Sequence, residues 1–156
     1  MSLHITAVRS TALLSLLLWT KVAITNLGLG GAKMIAGARA PEDFYQKKTE
    51  EASAEALAAK DRSQRIVNND LENIPYTMAL AWGAMFLIFF GADESTRDSQ
   101  SMAHIVLFTI FVVARICHSV VYSMGLSVPR SAAWATGFLC TFGIAINGTI
   151  AAFQIE

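Results

Sequence analysis

A chain of 156 residues has the length of one domain, and its composition is lopsided: 54% of the residues are apolar, only 15% are charged, and twelve basic and twelve acidic residues cancel to a net charge of zero. That balance leaves no basic footprint for nucleic acid, so no nucleic-acid partner is expected. The two cysteines, Cys117 and Cys140, fall inside apolar stretches and read as small packing residues, not as an oxidised secreted framework. No internal repeat and no metal site are expected.

The charges are segregated along the chain, and this defines the elements. The first apolar stretch, about 11–38, tolerates Lys21 and Lys33. Arg9 followed by the apolar run from Ala12 to Trp19 imitates a signal peptide. However, Lys21 ends the run without a small-residue cleavage site, and apolar residues resume to Ala38, so a retained helix is expected. A polar loop follows over about 39–64. The second helix is expected over about 65–91, because the nineteen residues from Ile74 to Ala92 carry no charge. The third, about 101–124, tolerates a single charge, Arg115, within the stretch from Ser99 to Pro129. The fourth, about 128–153, draws on twenty-five uncharged residues from Ser131 to Ile155, so the Asn147-Gly148-Thr149 acceptor pattern inside it is a chance match. Each stretch is long enough for a hydrocarbon core of about 30 Å. A soluble bundle would need a polar face on every helix, and the second and fourth stretches show none. The expected fold is therefore all-α, a single integral-membrane four-helix bundle spanning residues 1–156.

Charge also orients the bundle. Arg39, Lys47, Lys48, Lys60, Arg62 and Arg65 lie between the first two stretches, whereas the loop between the second and third holds only Arg97 against Asp93, Glu94 and Asp98. The positive-inside bias then places the long loop, and the turn from Gly125 to Arg130, in the cytosol.

Chemistry collects at that end. Arg65, Asn69 and Glu72 are spaced i, i+4 and i+7 and share one stripe of the second helix, with Asp70 pointing well away from it. Arg115, His118 and Tyr122 form a similar stripe on the third. At 1.5 Å per residue Glu72 lies about 10 Å past Arg65, and Arg115 about 13 Å from Met124, so the stripes can meet. Ser127 is the expected N-cap of the fourth helix and Pro129 fits its first turn. Arg130 and Ser131 then stand at its positive dipole end, a place for a thiolate, carboxylate or phosphate. Pro75 is expected to bend the second helix.

Two readings of these groups stand side by side. In one they form a site. In the other Arg115 pairs with Glu72 across the bundle and needs no ligand, since a charge at membrane depth costs a few kcal/mol and is kept with a partner or a task. Asn68 reads as an exposed helix-start residue and Lys33 as a snorkelling one. Trp82, Met85, Phe86, Phe89 and Phe90 read as packing or lipid contact. A channel is disfavoured because the polar residues cluster at one end instead of lining a path.

The run from Arg65 to Pro75 with Asn69 and Glu72, the run from Ala114 to Tyr122 with Arg115 and His118, and Pro41-Glu42-Asp43 after the first helix together resemble the membrane-associated proteins in eicosanoid and glutathione metabolism. The likeness is to the microsomal glutathione transferase and prostaglandin E synthase branch. It implies a homotrimer with glutathione bound between subunits near the cytosolic face. It further implies that Lys33, Arg65, Asn69, Glu72, Arg115, His118, Tyr122, Arg130 and Ser131 contact glutathione, with Arg130 and Ser131 holding the thiolate and Asp43 working beside Arg130. Asn68, Lys33 and Val67 depart from that branch, and the turn between Tyr122 and Arg130 is one residue shorter. Trp134 sits near a tyrosine of the synthase.

The expected function is a glutathione-dependent membrane transferase. It would join the thiolate to an apolar electrophile from the bilayer or use it to reduce a lipid hydroperoxide, in an endoplasmic-reticulum or bacterial inner membrane. A prostaglandin E synthase-like isomerase and a non-enzymatic lipid-presenting protein of the same fold are the alternatives.

Overall fold

The structure is a computed structural model that describes residues 2–40, 42 and 52–155. It contains four helices, α1 (Leu3–Ile35), α2 (Ala54–Gly91), α3 (Glu94–Ser123) and α4 (Ser127–Ala152), with no strand among the described residues. All four are long and apolar enough to cross a membrane. Around the bundle the order is α1, α2, α4, α3, with α2 and α3 meeting across the diagonal.

The helices outrun the apolar stretches that announce them, because hydropathy marks the part in lipid while helix propensity continues beyond it. α2 starts at Ala54, not near residue 65. Ser53 Oγ accepts from the Ala56 N–H at 3.2 Å, and the alanine-rich turns that follow are strong helix formers. The expected loop over 39–64 is shortened accordingly. α1 starts at Leu3, not near 11, and α3 at Glu94, not near 101. Thirty-eight residues of α2 extend about 57 Å, well past a hydrocarbon core of about 30 Å. The helix runs unbroken through Pro75.

Packing follows the apolar spacing of each helix. Leu18, Ile74, Ala81, Phe108, Phe111, Val112 and Ile144 form the main core, and Ala7, Met85, Ile88, Ala92 and Ala151 a second cluster. α2 and α4 approach closely at Gly148, where a Cβ would stand 2.8 Å from the Ala84 Cβ. Large apolar side chains such as Leu27, Phe90, Phe138, Leu139 and Phe142 are exposed. A bundle apolar outside as well as inside suits lipid, not water. Phe86 and Phe90 are exposed while Met85 is buried, and Trp82 Nε1 donates to Ser15 Oγ at 3.2 Å, so this stripe serves packing and the outer surface. Cys140 is buried and Cys117 exposed.

One end of the bundle gathers the α1 and α3 C-termini with the start of α4. α1 and α3 finish there in the same way. Gly37 and Gly125 have φ of 60° and 76°, and the Ala38 N–H reaches the Lys33 carbonyl at 2.9 Å as the Leu126 N–H reaches Val121 at 3.0 Å. This is the Schellman closure, in which glycine takes the left-handed conformation at no steric cost. α4 begins at Ser127 itself, with Leu126 in the N-cap position and no side-chain cap. The expected Ser127 cap is therefore one residue late. Pro129 stands in the first turn, where its missing N–H is harmless.

Candidate functional site

Two polar assemblies lie near this end, one buried and one open. The buried one is built on Asp70. Ile66, Val67, Ile74 and Thr77 are buried on the same side of α2, which carries Asp70 into the core at 1% exposure. Arg115 of α3, also 1% exposed, donates from Nη2 to Asp70 Oδ1 at 3.0 Å and to Asn69 Oδ1 at 2.7 Å. Lys21 of α1 pairs with the same Asp70 oxygen, and Thr25 donates to Oδ2 at 3.2 Å. Three helices are thus tied through one carboxylate. A guanidinium at this depth keeps its charge and requires such acceptors.

This arrangement corrects the alternative reading in which Arg115 pairs with Glu72: its partners are Asp70 and Asn69. Glu72 is exposed, on the outward side of α2 with Tyr76. Asp70, pointing away from the Arg65–Asn69–Glu72 stripe as expected, is for that reason the core-facing carboxylate. His118, 2% exposed, packs edge-on against Tyr122 with ring centroids 5.6 Å apart.

The open assembly is a cleft of about 400 Å3 lined by Ala58, Asp61, Arg62, Arg65, Tyr122, Gly125 and Arg130. Arg65 comes from α2, Tyr122 from the last turn of α3, and Arg130 from the first turn of α4. The Arg130 guanidinium lies over the Tyr122 ring, 4.6 Å from its centroid, a cation–π contact that holds it at the cleft wall. Arg62 Nη1 donates to the Ser123 carbonyl at 3.1 Å. Among the described residues three guanidiniums line the cleft against one carboxylate, Asp61, so its lining carries an excess of positive charge. Guanidinium forks match carboxylates in particular.

Of the residues singled out from sequence, Arg65, Tyr122 and Arg130 meet in the cleft, while Arg115 and Asn69 meet in the buried network. Ser131 is exposed and its Oγ donates to the Ser127 carbonyl at 3.1 Å, so its proton is committed to its own helix. Lys33 is half-buried in the last turn of α1 and outside the cleft lining. Asp43 lies outside the described residues. Sequence reasoning passes over Asp70, Lys21 and Arg62. The signal for Asp70 is its place among apolar residues at helical spacing. Arg62 is hidden when residues 39–64 are taken as a loop.

The donor set of the cleft fits glutathione. The two carboxylates and thiolate of glutathione would be matched by the three arginines, its ammonium by Asp61, and the phenol of Tyr122 would supply a further polar partner.

A four-helix bundle with an arginine-lined cleft at one end defines the class: an integral membrane protein with a basic cleft at one end of its helices. The chain belongs to the MAPEG family, whose model matches residues 5–149. It is thus a glutathione-related or eicosanoid-related membrane protein, in a family that includes glutathione transferases and synthases. No curated protein matches it.

Proposed function

We propose that the protein is a glutathione-dependent membrane transferase. The observation that carries this reading is the convergence of Arg62, Arg65, Arg130 and Tyr122 on one open cleft, together with family membership. Glutathione enters this cleft from the cytosol, the side assigned by the basic residues between the first two helices. Arg65 binds a carboxylate, and Arg130, held over Tyr122, sits beside the sulfur. Positive charge favours the thiolate over the thiol and so raises the nucleophile's population at neutral pH. The thiol proton passes to water, and the thiolate then forms a C–S bond to an apolar electrophile from the bilayer, either displacing a leaving group that departs as its anion or adding to an activated C=C bond whose carbanion takes a proton from water.

Asp61 is the carboxylate in the cleft lining and takes the ammonium; Glu72 faces outward from the protomer, so it can serve only as a second acceptor for that ammonium, at a boundary with a neighbouring subunit. The homotrimer belongs to this proposal for that reason. Ser131 assists only after its hydroxyl leaves Ser127.

Isothermal titration of the detergent-purified protein with glutathione, run beside a chromophoric conjugation assay, tests the reading. Heat at or below millimolar glutathione and conjugate formation are expected; no heat defeats it and favours a lipid-presenting protein of the same fold. Arg130→Ala is expected to leave glutathione affinity within several-fold while raising the bound thiol's pKa, with the neutral-pH rate falling about tenfold for each pKa unit. Ultraviolet difference spectra against pH follow the thiolate directly. Identical titrations of wild type and variant would move the thiolate's partner away from Arg130.

A further inference from the structure

The cleft contains a residue that neither polar stripe includes. Arg62 precedes Arg65 by one helical turn, in the part of α2 that extends beyond the apolar stretch. Its Nη1 donates to the Ser123 carbonyl at 3.1 Å, one of the acceptors that the end of α3 leaves unsatisfied. A cation there also complements the negative end of the α3 dipole. The Gly125 turn lies against the same guanidinium, where a Cβ would stand 4.0 Å from both Nη1 and Nη2. The contact uses one of the guanidinium's five N–H donors and fixes its position. Arg62 is nonetheless exposed and lines the cleft, so the rest of its fork is available to a ligand.

Charge balance assigns that ligand a second carboxylate. Among the described residues, three guanidiniums against Asp61 leave the cleft lining with two net positive charges. Glutathione as the thiolate carries two carboxylates, one thiolate and one ammonium, and so two net negative charges. With Arg130 beside the sulfur and Arg65 on one carboxylate, the other carboxylate falls to Arg62, next to Asp61 for the ammonium. We infer that Arg62 is a specificity-determining residue of the cleft: it binds one of the two glutathione carboxylates and selects a doubly carboxylated thiol over a singly carboxylated one. The inference rests on the glutathione reading above.

Isothermal titration of the detergent-purified full chain with three thiols tests it: glutathione, its glycyl ethyl ester, and the analogue with γ-aminobutyryl in place of γ-glutamyl, which keeps the ammonium and lacks the α-carboxylate. Arg62→Gln retains an amide N–H for the Ser123 carbonyl and removes the charge. It is expected to weaken glutathione binding about tenfold, the size of a charge-assisted hydrogen bond. That penalty should vanish with one of the two analogues, the one lacking the carboxylate that Arg62 holds. An equal penalty for all three thiols would overturn the inference and leave Arg62 as a cap for α3, as would unchanged glutathione affinity in the variant. Wild type giving no heat with glutathione would instead remove the glutathione reading itself, and this inference with it. Should Arg62→Gln not fold, Arg62→Lys carries the same comparison, since it keeps the charge but loses the fork.

Discussion

Arginine does opposite work in two places in the bundle. Arg115 is sealed in the core and its charge is answered by Asp70 and Asn69. Arg62, Arg65 and Arg130 stand at the rim around a cleft where, among the described residues, Asp61 alone of the lining carboxylates opposes them. The buried group holds helices together; the open ones are left for a ligand. The residue type is the same, and what differs is whether the fold supplies an anion. A cation at membrane depth must find its partner within the protein, whereas one near water can wait for a partner that diffuses in.

Removing the internal anion should break the buried half. Asp70→Ala leaves Lys21 and Arg115 facing each other without their carboxylate, and loss of one partner from a buried pair costs about 3–5 kcal/mol. A large drop in thermal midpoint in detergent is expected. Arg65→Gln, at the exposed rim, should change stability by no more than about 0.5 kcal/mol. Equal melting of the two variants would erase the distinction.

A smaller effect sharpens it. Thr25→Val preserves shape but removes the hydroxyl that donates to Asp70 Oδ2 at 3.2 Å. The expected loss is about 1 kcal/mol, read as a lowered midpoint with glutathione affinity unchanged. A change in affinity larger than the change in stability would mean that the buried network and the cleft are coupled.

The four spans are legible in the sequence because a long apolar run without charge has little use outside a hydrocarbon core. Their ends are not, because the alanine-rich start of α2 and the acidic start of α3 are helical without being apolar. Grouping Arg65, Asn69 and Glu72 by spacing describes one surface correctly. It then takes that surface as the side facing Arg115, although the apolar neighbours of Asp70, namely Ile66, Val67 and Ile74, show that the core lies on the other side. Asn69 sits between the two surfaces, half-buried, and so takes part in the buried network while belonging to the outer stripe. Arg130 and Tyr122 meet as their positions in the sequence imply. Helix ends joined by a turn as short as Met124–Leu126 leave little freedom in where the flanking side chains go.

The smallest expected effect on stability falls at Glu72, and it separates the two halves most directly. Glu72 shares a stripe with Arg65, yet the acceptors on Arg115 are Asn69 and Asp70, so Glu72→Gln removes no buried partner. Its thermal midpoint should match wild type, within about 0.5 kcal/mol of stability, as for other exposed substitutions. Glutathione affinity is a separate matter. If Glu72 accepts the ammonium across a subunit interface, the same change should weaken binding by about 2 kcal/mol, the scale of a hydrogen bond to a charged group. Unchanged melting with weakened binding joins Glu72 to the open cleft. Lowered melting with unchanged binding would instead return it to Arg115, and the partition between a buried structural pair and an open ligand site would have to be redrawn.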